Sequence, residues 1–296
     1  MEIFELRYFV TATRLQNMNR AASTLHVSPS SISKAITRLE SELNSKLCLR
    51  DRKKIQLTDQ GKIVFNRANE ILQIHESLQF EVKGESGNAN IVFVGPETLL
   101  LKFGVELALA IASALPNCTY EFVNQSEAQA IAAVKNGLAH VAIIIGNSRS
   151  NKIADVKTLS IGNATFRTVV GKNHPLAHAQ YAKKQILIQD VLKYAFVSPS
   201  KPVFGDTETS GSLDGWRDDA FPRKVGFTTT CLKTLEELVI CGKAIAYVPD
   251  YFCSKMDVIA LEILGCPHSC TQQIELLISN RTKSPWLKII DHFLQR

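Results

Sequence analysis

Two short amphipathic runs near the amino terminus are joined by a tight turn, in the sequence NMNRAASTLHVSPSSISKAITRLESEL of residues 17–43. The first predicted helix ends at His26 and Val27, and the second begins with Ser28 as its N-cap and Pro29 at its first position. Because each helical residue advances about 100°, the second helix separates an apolar face from a polar one. The apolar face holds Ile32, Ile36, Leu39 and Leu43, and the polar face holds Ser30, Ser33, Lys34, Thr37 and Ser41. This pattern predicts a helix-turn-helix that can place its polar face in a DNA major groove, although a plain helical hairpin with a solvated face fits it too.

The segment LRDRKKIQLT of residues 49–58 is basic at its start and alternates apolar and polar residues at its end. Such a segment predicts a short β-ribbon, or wing, that directs cations at DNA phosphates. Residues 1–62 hold 11 Lys and Arg against 6 Asp and Glu, which accounts for +5 of the +6 net charge of the 296-residue chain. A charge run often marks only a solvated face, but basic charge beside a polar helix face is typical of a DNA-binding domain.

No proline interrupts the sequence between Asp59 and about Lys83, and Thr58 is well placed as an N-cap, so one long helix is predicted. Apolar side chains recur along it in alternating steps of four and three residues, which is the spacing of a coiled-coil seam. The predicted dimer seam consists of Val64, Ala68, Ile71, His75, Leu78 and Val82. We expect this face to pair two copies of the chain, and packing of the face on its own domain is the alternative.

The polar, glycine-bearing segment KGESGNAN of residues 83–90 predicts a hinge into a second domain. Beyond it, strand-like and helix-like runs alternate over residues 91–145 and again over residues 165–248, which predicts two α/β lobes. The last strand and helix, residues 274–278 and 285–295, are predicted to return to the first lobe. The predicted domains are residues 1–58, a helix and hinge at 59–88, and residues 89–296, in which lobe I covers about 89–161 and 266–296 and lobe II about 162–265.

Polar and hydroxyl-bearing residues follow most of the predicted strands. In open α/β sheets, ligands bind beyond the carboxyl ends of the strands, where helix N-termini offer unpaired N–H groups. The candidate effector-binding residues are Pro96, Thr98, Gln125, Ser126, Gly146 and Asn147 in lobe I and Ser198, Ser200, Thr228, Thr229 and Pro249 in lobe II. They can hold a small polar or anionic molecule, with Arg149, Arg167 and Lys201 near enough to balance an anion. Each candidate can equally serve only as a helix cap.

Five motifs near the amino terminus occur in the order typical of one family: LRYFV, RAASTLHVS, SISKAITRLESEL, the step from Leu47 to Arg50, and LTDQG. On these motifs the chain resembles the LysR-type transcriptional regulators, and the later segments GPET, HPLA and CGKAIAYVPD match that family more loosely. The resemblance implies an α/β multidomain fold: an N-terminal winged helix-turn-helix with a long linker helix, then a two-lobed effector domain of the periplasmic-binding-protein type. It places Ser30, Ser33 and Lys34 at the DNA, with Arg50, Arg52 and Lys53 on the backbone beside it. The full set of predicted DNA contacts is Ser28, Pro29, Ser30, Ser33, Lys34, Thr37, Arg38, Arg50, Arg52, Lys53 and Lys54. The chain departs from the family pattern at Pro29, where a polar residue is usual, and we expect this change to alter which bases are read.

The resemblance also implies partners and a mode of action. The expected partners are double-stranded DNA at a pseudo-palindromic promoter site, a small-molecule effector, further copies of the chain in a homodimer or homotetramer, and RNA polymerase. An effector that binds one closure state of the lobes better would change how the subunits pair on DNA. No cofactor other than this effector is expected.

Other classes of protein fit the sequence less well. It has no G-x-S-x-G, H-E-x-x-H or C-x-x-C motif and no glycine-rich phosphate loop, so no catalytic residue is predicted. A small-molecule carrier would explain residues 91–296 but not the basic amino-terminal domain. Of the seven cysteines only Cys266 and Cys270 cluster, with His268 between them, and a zinc site or a redox-responsive switch there is less favoured than free thiols. The amino-terminal residues and the lack of an apolar run of about 18 residues predict a cytoplasmic protein that does not span a membrane.

Overall fold

The computed structural model of the chain describes residues 1–50, 55–83, 90–146, 156–201, 203–204, 212–254, 256–265, 270–280, 284 and 286–294. Four predicted site residues, Arg52, Lys53, Lys54 and Asn147, lie outside these ranges, as do Arg149, Cys266 and His268. The side chain of Arg50 also lies outside the described part of the chain.

The amino-terminal domain contains the predicted helix-turn-helix, wing and long helix. Its elements are α1 (Ile3–Leu15), α2 (Met18–Leu25), α3 (Pro29–Glu42), β1 (Cys48–Arg50), β2 (Ile55–Leu57) and α4 (Asp59–Lys83). Helix α2 ends at His26, whose φ of 53° is left-handed, and α3 begins after Ser28, whose Oγ accepts a hydrogen bond from the Ser31 N–H at 3.1 Å. The two wing strands pair antiparallel, with Cys48 opposite Leu57.

The core of this domain lies between α1, α2, α3 and α4. Ala21 and Ala22 are buried where α2 meets its neighbours, because their small side chains let helices approach closely. Larger apolar side chains surround them, including Leu6, Phe9, Ile32, Ile36 and Leu39. Burial of each large side chain is worth about 1.5–3 kcal/mol, so these residues fix the position of α3 on the domain.

Helix α4 turns different faces to this core and to solvent. Ala68 and Leu72 are buried in the core, and Val64 and Ile71 pack partly against it. The predicted seam is therefore wrong at Ala68, whose side chain is only 1% exposed, because the chain's own core already covers it.

The exposed apolar stripe of α4 lies beside the predicted seam rather than on it. It consists of Ile63, Ile74, Leu78 and Val82, each more than half exposed, while His75 is half-buried. From the helical repeat, this stripe is centred about 50° around the helix from the predicted seam. Two seam residues, Leu78 and Val82, are kept in the stripe.

The second domain begins with alternating strands and helices of lobe I. They are β3 (Asn90–Gly95), α5 (Glu97–Leu99), which continues through a π-helical turn at Leu100–Gly104 into α6 (Val105–Ala114), β4 (Thr119–Asn124), α7 (Glu127–Lys135) and β5 (Val141–Gly146). Strand β6 (Val156–Gly171) leads into lobe II. None of the helices in the described ranges combines the length and the apolar composition that crossing a bilayer requires.

Lobe II contains shorter elements. They are α8 (Pro175–Tyr181), β7 (Ile186–Leu187), α9 (Ile188–Val191), β8 (Ala195–Pro199), β9 (Lys224–Thr229), α10 (Leu232–Ile240), β10 (Ala246–Pro249), α11 (Asp250–Cys253), β11 (Val258–Ala260) and β12 (Ile263–Leu264). Strand β13 (Thr271–Ser279) and helix α12 (Trp286–Phe293) then return to lobe I, as predicted.

One continuous strand, β6, belongs to both lobes. The main sheet has the order β10-β6-β13-β5-β3-β4, and β11 also pairs with β6. The first part of β6, from Val156 to Thr165, pairs with β13, and its last part pairs with β10 and β11. The sequence pattern predicts a separate strand of lobe II near Thr165, whereas the structure has 16 residues in one strand. The lobes are therefore joined by backbone pairing. The register between β6 and β13 shifts at Ile274 and Glu275, within the part of β6 that pairs with β13.

The wing is anchored to α3 by a buried carboxylate, Glu40. Its Oε1 accepts hydrogen bonds from the Leu47 N–H at 3.0 Å and the Cys48 N–H at 3.3 Å, and its Oε2 accepts one from Lys46 Nζ at 2.8 Å. Burial by itself raises the pKa of Glu40, but the hydrogen bonds from Lys46 and the two amides outweigh it and hold the pKa below its usual value.

The start of α4 is hydrogen-bonded to the same segment that Glu40 binds. Thr58 donates from its N–H to the Leu47 carbonyl at 3.0 Å and from Oγ1 to the Lys46 carbonyl at 2.6 Å. At Gly61 a Cβ atom would lie 2.0 Å from the Leu47 carbonyl oxygen, which no side chain tolerates. The glycine of the LTDQG motif therefore lets α4 pass over the base of the wing.

Replacing Glu40 tests this anchor. Glu40→Gln should lower the free energy of unfolding near neutral pH by about 2 kcal/mol, because a neutral amide cannot serve three donors at a site that is almost fully buried. A carboxyl whose folded pKa is depressed stabilises the fold above its unfolded pKa and loses that contribution as pH falls through the folded pKa. The difference between the two proteins should therefore shrink on acidification below about pH 4.5.

Urea unfolding of the full chain at several pH values, followed by circular dichroism, measures this difference. The exposed Glu121 of β4 provides the control, since Glu121→Gln should leave the pH dependence as it is. A Glu40→Gln protein with the stability of the original chain at every pH would contradict the assignment.

Candidate DNA-recognition surface and ligand cleft

Helix α3 exposes most of the polar face that the sequence predicts. Pro29, Ser30, Lys34 and Thr37 are exposed, and Ser33 is half-buried. The Ser28 Oγ lies 2.8 Å from the hydroxyls of both Ser30 and Ser31, so the cap at Ser28 also orients its neighbours. The first turns of α3 thus present a cluster of hydroxyls beside the ammonium group of Lys34.

Two other predicted DNA contacts have partners within the chain. Thr37 Oγ1 donates to the Ser33 carbonyl at 2.9 Å, so its hydroxyl proton is used within the helix. Arg38 Nη1 lies 3.7 Å from Oε1 of the buried Glu5, while the Arg38 side chain remains 68% exposed. Glu5 therefore orients the guanidinium at the surface and links α3 to α1.

The predicted lobe I residues follow strands that end at one edge of the sheet. Strand β3 runs parallel to both β4 and β5, so Pro96, Gln125 and Gly146 are brought to the same edge. Pro96 is the buried N-cap of α5, and Ser126 is the N-cap of α7, with the Ser126 N–H donating to Gln129 Oε1 at 3.2 Å. At Gly146 a Cβ would lie 2.6 Å from the carboxyl carbon of Glu275, which explains the glycine.

Glu127, which the sequence pattern did not single out, ties α7 to this edge. Its side chain is buried, and its Oε1 accepts a hydrogen bond from the Ile145 N–H at 2.8 Å. A carboxylate is favoured at this position because it lies in the first turn of a helix, at the positive end of the helix dipole. The amino-terminal end of α7 is thereby fixed to the carboxyl end of β5.

Thr98 joins the two lobes instead of facing an open cleft. It is buried, its Oγ1 donates to the Val203 carbonyl at 2.9 Å, and the same atom lies 3.2 Å from the Tyr251 hydroxyl. Burial raises the pKa of Tyr251 above its usual value, so this hydroxyl stays protonated and can donate. The expectation of a directly accessible ligand group at Thr98 is corrected accordingly: its hydroxyl is engaged across the lobes.

The predicted lobe II residues gather at the ends of β8, β9 and β10. The Ser200 N–H donates to the Thr229 carbonyl at 2.9 Å, and Thr229 Oγ1 accepts from the Cys231 N–H at 3.0 Å, next to the first turn of α10. Ser198 is buried in β8, whereas Ser200 and Thr228 are exposed. Pro249 is the buried N-cap of α11.

A buried ion pair that the sequence does not reveal supports this side of lobe II. Arg223 donates to both carboxylate oxygens of Asp214, at 2.7 and 2.8 Å, and both side chains are almost fully buried. The guanidinium also lies 5.4 Å from the ring centre of Phe196 and 5.5 Å from that of Trp216. Arg223 and Asp214 are nine positions apart in sequence, and no local motif marks their contact.

Arg167 lines a different groove from the candidate residues at the strand ends. This open groove on lobe II has a volume of about 830 Å³ and is also lined by Tyr181, Lys183, Lys184 and Glu262. The structure therefore does not group Arg167 with Ser200 or Thr228.

None of the cysteines among the described residues forms a disulfide. Cys48 and Cys118 are buried, Cys231 and Cys241 are exposed, and Cys270 is half-buried, with burial raising the pKa of its thiol. Within the described ranges, no group of three His, Cys, Asp or Glu side chains is arranged to hold a metal ion.

Curated proteins similar to this chain include regulators of about the same length. It is 24% identical over 255 residues to the HTH-type transcriptional regulator BudR of Raoultella terrigena, covering 84% of this chain and 85% of that protein. It is 28% identical over 260 residues to the Hca operon transcriptional activator HcaR of Escherichia coli (strain K12), covering 85% of this chain and 82% of HcaR.

Solved structures share the fold. Full-length CbnR complexed with its target DNA aligns with a TM-score of 0.63 at 18% identity, covering 100% of this chain and 99% of CbnR. A full-length OxyR variant from Pseudomonas aeruginosa aligns with a TM-score of 0.68 at 18% identity, covering 100% and 94% of the two chains.

Two family descriptions match successive parts of the sequence. Residues 3–62 match the bacterial regulatory helix-turn-helix protein, lysR family, and residues 90–285 match the LysR substrate binding domain. The first match covers the surface built on α3, and the second covers both lobes. The chain therefore belongs to the LysR family and is a DNA-binding transcriptional regulator.

Proposed function

We propose that two α3 helices of a dimer read a pseudo-palindromic promoter site and that a small molecule bound between the lobes regulates this activity. The observation that carries the first part is the exposed face of α3, where Ser30, Ser33 and Lys34 lie beside one another on a domain that accounts for most of the net positive charge of the chain. Hydroxyls and an ammonium group are the donors that base edges and phosphates accept. DNA binding in turn favours a cytoplasmic location in a bacterial cell.

The ligand site is assigned to the facing strand ends of the two lobes. Of the predicted candidates, the proposal uses Ser126, Gln125 and Gly146 on lobe I and Ser200 and Thr228 on lobe II, which are exposed or half-buried. Thr98 is engaged across the lobes, Thr229 is bonded to the start of α10, Pro96, Ser198 and Pro249 are buried, and Asn147 lies outside the described residues. Their backbone and side-chain groups can hydrogen-bond a small polar effector. The polar groups nearby serve as helix caps and contacts between the lobes, so we assign no catalytic step to the cleft. We propose RNA polymerase as the partner that responds when the effector is bound.

The exposed apolar stripe of α4 is the proposed dimer surface. Ile63, Ile74, Leu78 and Val82 are exposed on one side of the helix, away from the Ala68 and Leu72 side that is buried in the amino-terminal core. Exposed apolar side chains in a line of this length gain free energy by pairing with the same line on a second copy. Such pairing brings two α3 helices together, as a pseudo-palindromic site requires.

A second apolar surface lies on the effector domain. Leu101, Val105 and Leu109 on the α5–α6 segment and Phe122 on β4 are exposed on lobe I, and Val225 and Phe227 on β9 are exposed on lobe II. We propose that the lobe I patch of one chain packs on the lobe II patch of another. Use of both this surface and the α4 stripe produces a homotetramer, whereas either alone produces a homodimer.

Removal of the Lys34 ammonium group tests the DNA surface. Lys34→Ala should weaken binding of the full chain to a random-sequence duplex and reduce the slope of log K against log salt concentration by about 0.9, the value for one phosphate contact. Fluorescence anisotropy at a series of salt concentrations measures the slope. Lys193→Ala, on lobe II, removes an exposed lysine paired with Asp190 and should leave the slope as it is. Equal slopes for Lys34→Ala and the original chain would exclude a phosphate contact at Lys34.

Charges placed on the two apolar surfaces test the assembly. Leu78→Glu should separate the dimers formed through α4, and Leu109→Glu should separate those formed through the effector domain, because each buries a carboxylate in an apolar interface. Sedimentation velocity should show each variant at about half the mass of the original assembly and the double variant as a monomer. Leu187→Glu, at an exposed apolar position outside both surfaces, is the control. An unchanged mass for either variant removes that surface from the assembly.

A further inference from the structure

The linker helix α4 contacts lobe I of its own chain through a polar joint. Gln73 Nε2 donates to the Gly137 carbonyl at 3.0 Å. Asn69, only 1% exposed, accepts from Arg14 Nη2 at 2.6 Å and donates to the Phe65 carbonyl at 2.7 Å. The joint therefore combines α1, α4 and the turn between α7 and β5.

The turn at Gly137 is shaped to receive a helix. Gly137 has a φ of +66°, its N–H donates to the Val134 carbonyl, and the Leu138 N–H donates to the Ala133 carbonyl at 2.8 Å. This is the glycine-closed end of α7 that satisfies the last carbonyls of the helix and leaves the Gly137 carbonyl pointing outward. A Cβ at Gly137 would lie 3.4 Å from the Asn69 Cβ and 3.5 Å from the Glu70 nitrogen, so the glycine lets the turn lie directly on α4.

A half-buried histidine, His140, fixes the lobe I side of the joint. His140 Nδ1 accepts a hydrogen bond from the Val92 N–H at 3.0 Å, and its ring lies edge-to-face with Trp286 of α12, with ring centres 6.1 Å apart. Burial and then the nearby charge of Arg14 lower the pKa of His140 to about 4, so the imidazole is neutral at physiological pH. A neutral ring can stay next to Arg14, where a charged ring would be repelled.

The joint lies at one end of α7, and the ligand cleft lies at the other end. Glu127 fixes the amino-terminal end of α7 to the cleft edge by accepting a hydrogen bond from the Ile145 N–H, and Ser126 caps the helix beside it. Gly137 closes the carboxyl-terminal end on α4. The nine residues of α7 span only about 13 Å, and a hydrogen-bonded helix of this length moves as a rigid body.

We propose that α7 carries the state of the cleft to the DNA-binding domain, with Gln73 and Asn69 as the positioning residues that dock the linker helix on Gly137 of the same chain. This proposal rests on the proposed function of the cleft as the effector site. A ligand that shifts the amino-terminal end of α7 shifts the Gly137 turn with it. Since α4 bears both the joint and the apolar stripe, the angle between paired α3 helices changes as a result.

Cysteine pairing tests whether the contact is within one chain. The 3.4 Å between the Asn69 Cβ and the Cβ position at Gly137 is close to the separation found across disulfides. Oxidation of the Asn69→Cys, Gly137→Cys protein should give a 69–137 disulfide within single chains, seen by peptide mass mapping and by unchanged mass on a non-reducing gel. The control pair Asn69→Cys, Gly242→Cys uses a glycine with a φ of +69° in a similar turn of lobe II and should not cross-link. Absence of the 69–137 link, or its formation between chains, overturns the proposal.

Hydrogen exchange tests the coupling through α7. Gln73→Ala should speed amide exchange several-fold at residues 136–140 and also at residues 126–129, at the far end of α7, because loosening one end of a rigid element loosens the other. Gln60→Ala, an exposed glutamine in the first turn of α4, should change neither segment. Faster exchange confined to residues 136–140 would show a local contact without coupling and would contradict the proposal.

The cysteine-pairing test uses the full oxidised chain and the hydrogen-exchange test uses the full reduced chain. Neither needs DNA or effector. Their failure would overturn the joint while leaving DNA recognition by α3 intact. The salt dependence of DNA binding tests that recognition separately.

Discussion

Burial of Ala68 and Leu72 against the amino-terminal core fixes how α4 is rotated about its own axis, and the other contacts of this helix follow from that rotation. Successive residues advance by about 100°, so fixing one face fixes all of them. Ile74, Leu78 and Val82 are then directed to solvent, where a second copy can cover them, and Gln73 is directed to lobe I. One helix thus supports the recognition helix, offers a pairing surface and contacts the effector domain.

Side chains at the cleft likewise have structural roles. Hydroxyl and carboxylate side chains at the strand ends close the helices that follow, as Ser126 does for α7, or join the lobes, as Thr98 does with Val203 and Tyr251. A ligand that bound at the proposed site between the lobes would have to compete with such contacts, because these side chains already have hydrogen-bond partners. A change at the cleft is therefore expected to move whole elements, because β6 runs unbroken through both lobes and α7 is fixed at both ends.

Local sequence signals predicted the elements that depend on neighbouring residues. Ser28 and Pro29 marked the start of α3, and the apolar and polar alternation after residue 54 marked the second wing strand. The features that sequence reasoning missed depend on contacts that folding makes between separate segments of the chain. Glu40 looks like one more acid on a helix until the wing amides of Leu47 and Cys48 are placed on it, and nothing near Asp214 indicates that Arg223 will be buried beside it. The seam on α4 was misplaced at Ala68 for the same reason. A heptad repeat does not indicate which face of the helix the amino-terminal core will cover.

Selection of bound sequences from a random duplex library by the full chain tests most directly whether α4 holds two recognition helices in a fixed pair. If the two α3 helices are held in a fixed pair, the enriched sequences should contain an inverted repeat whose half-sites are separated by whole helical turns, about 10–10.5 base pairs each. Enrichment of a single unrepeated half-site, or of no sequence at all, would contradict it.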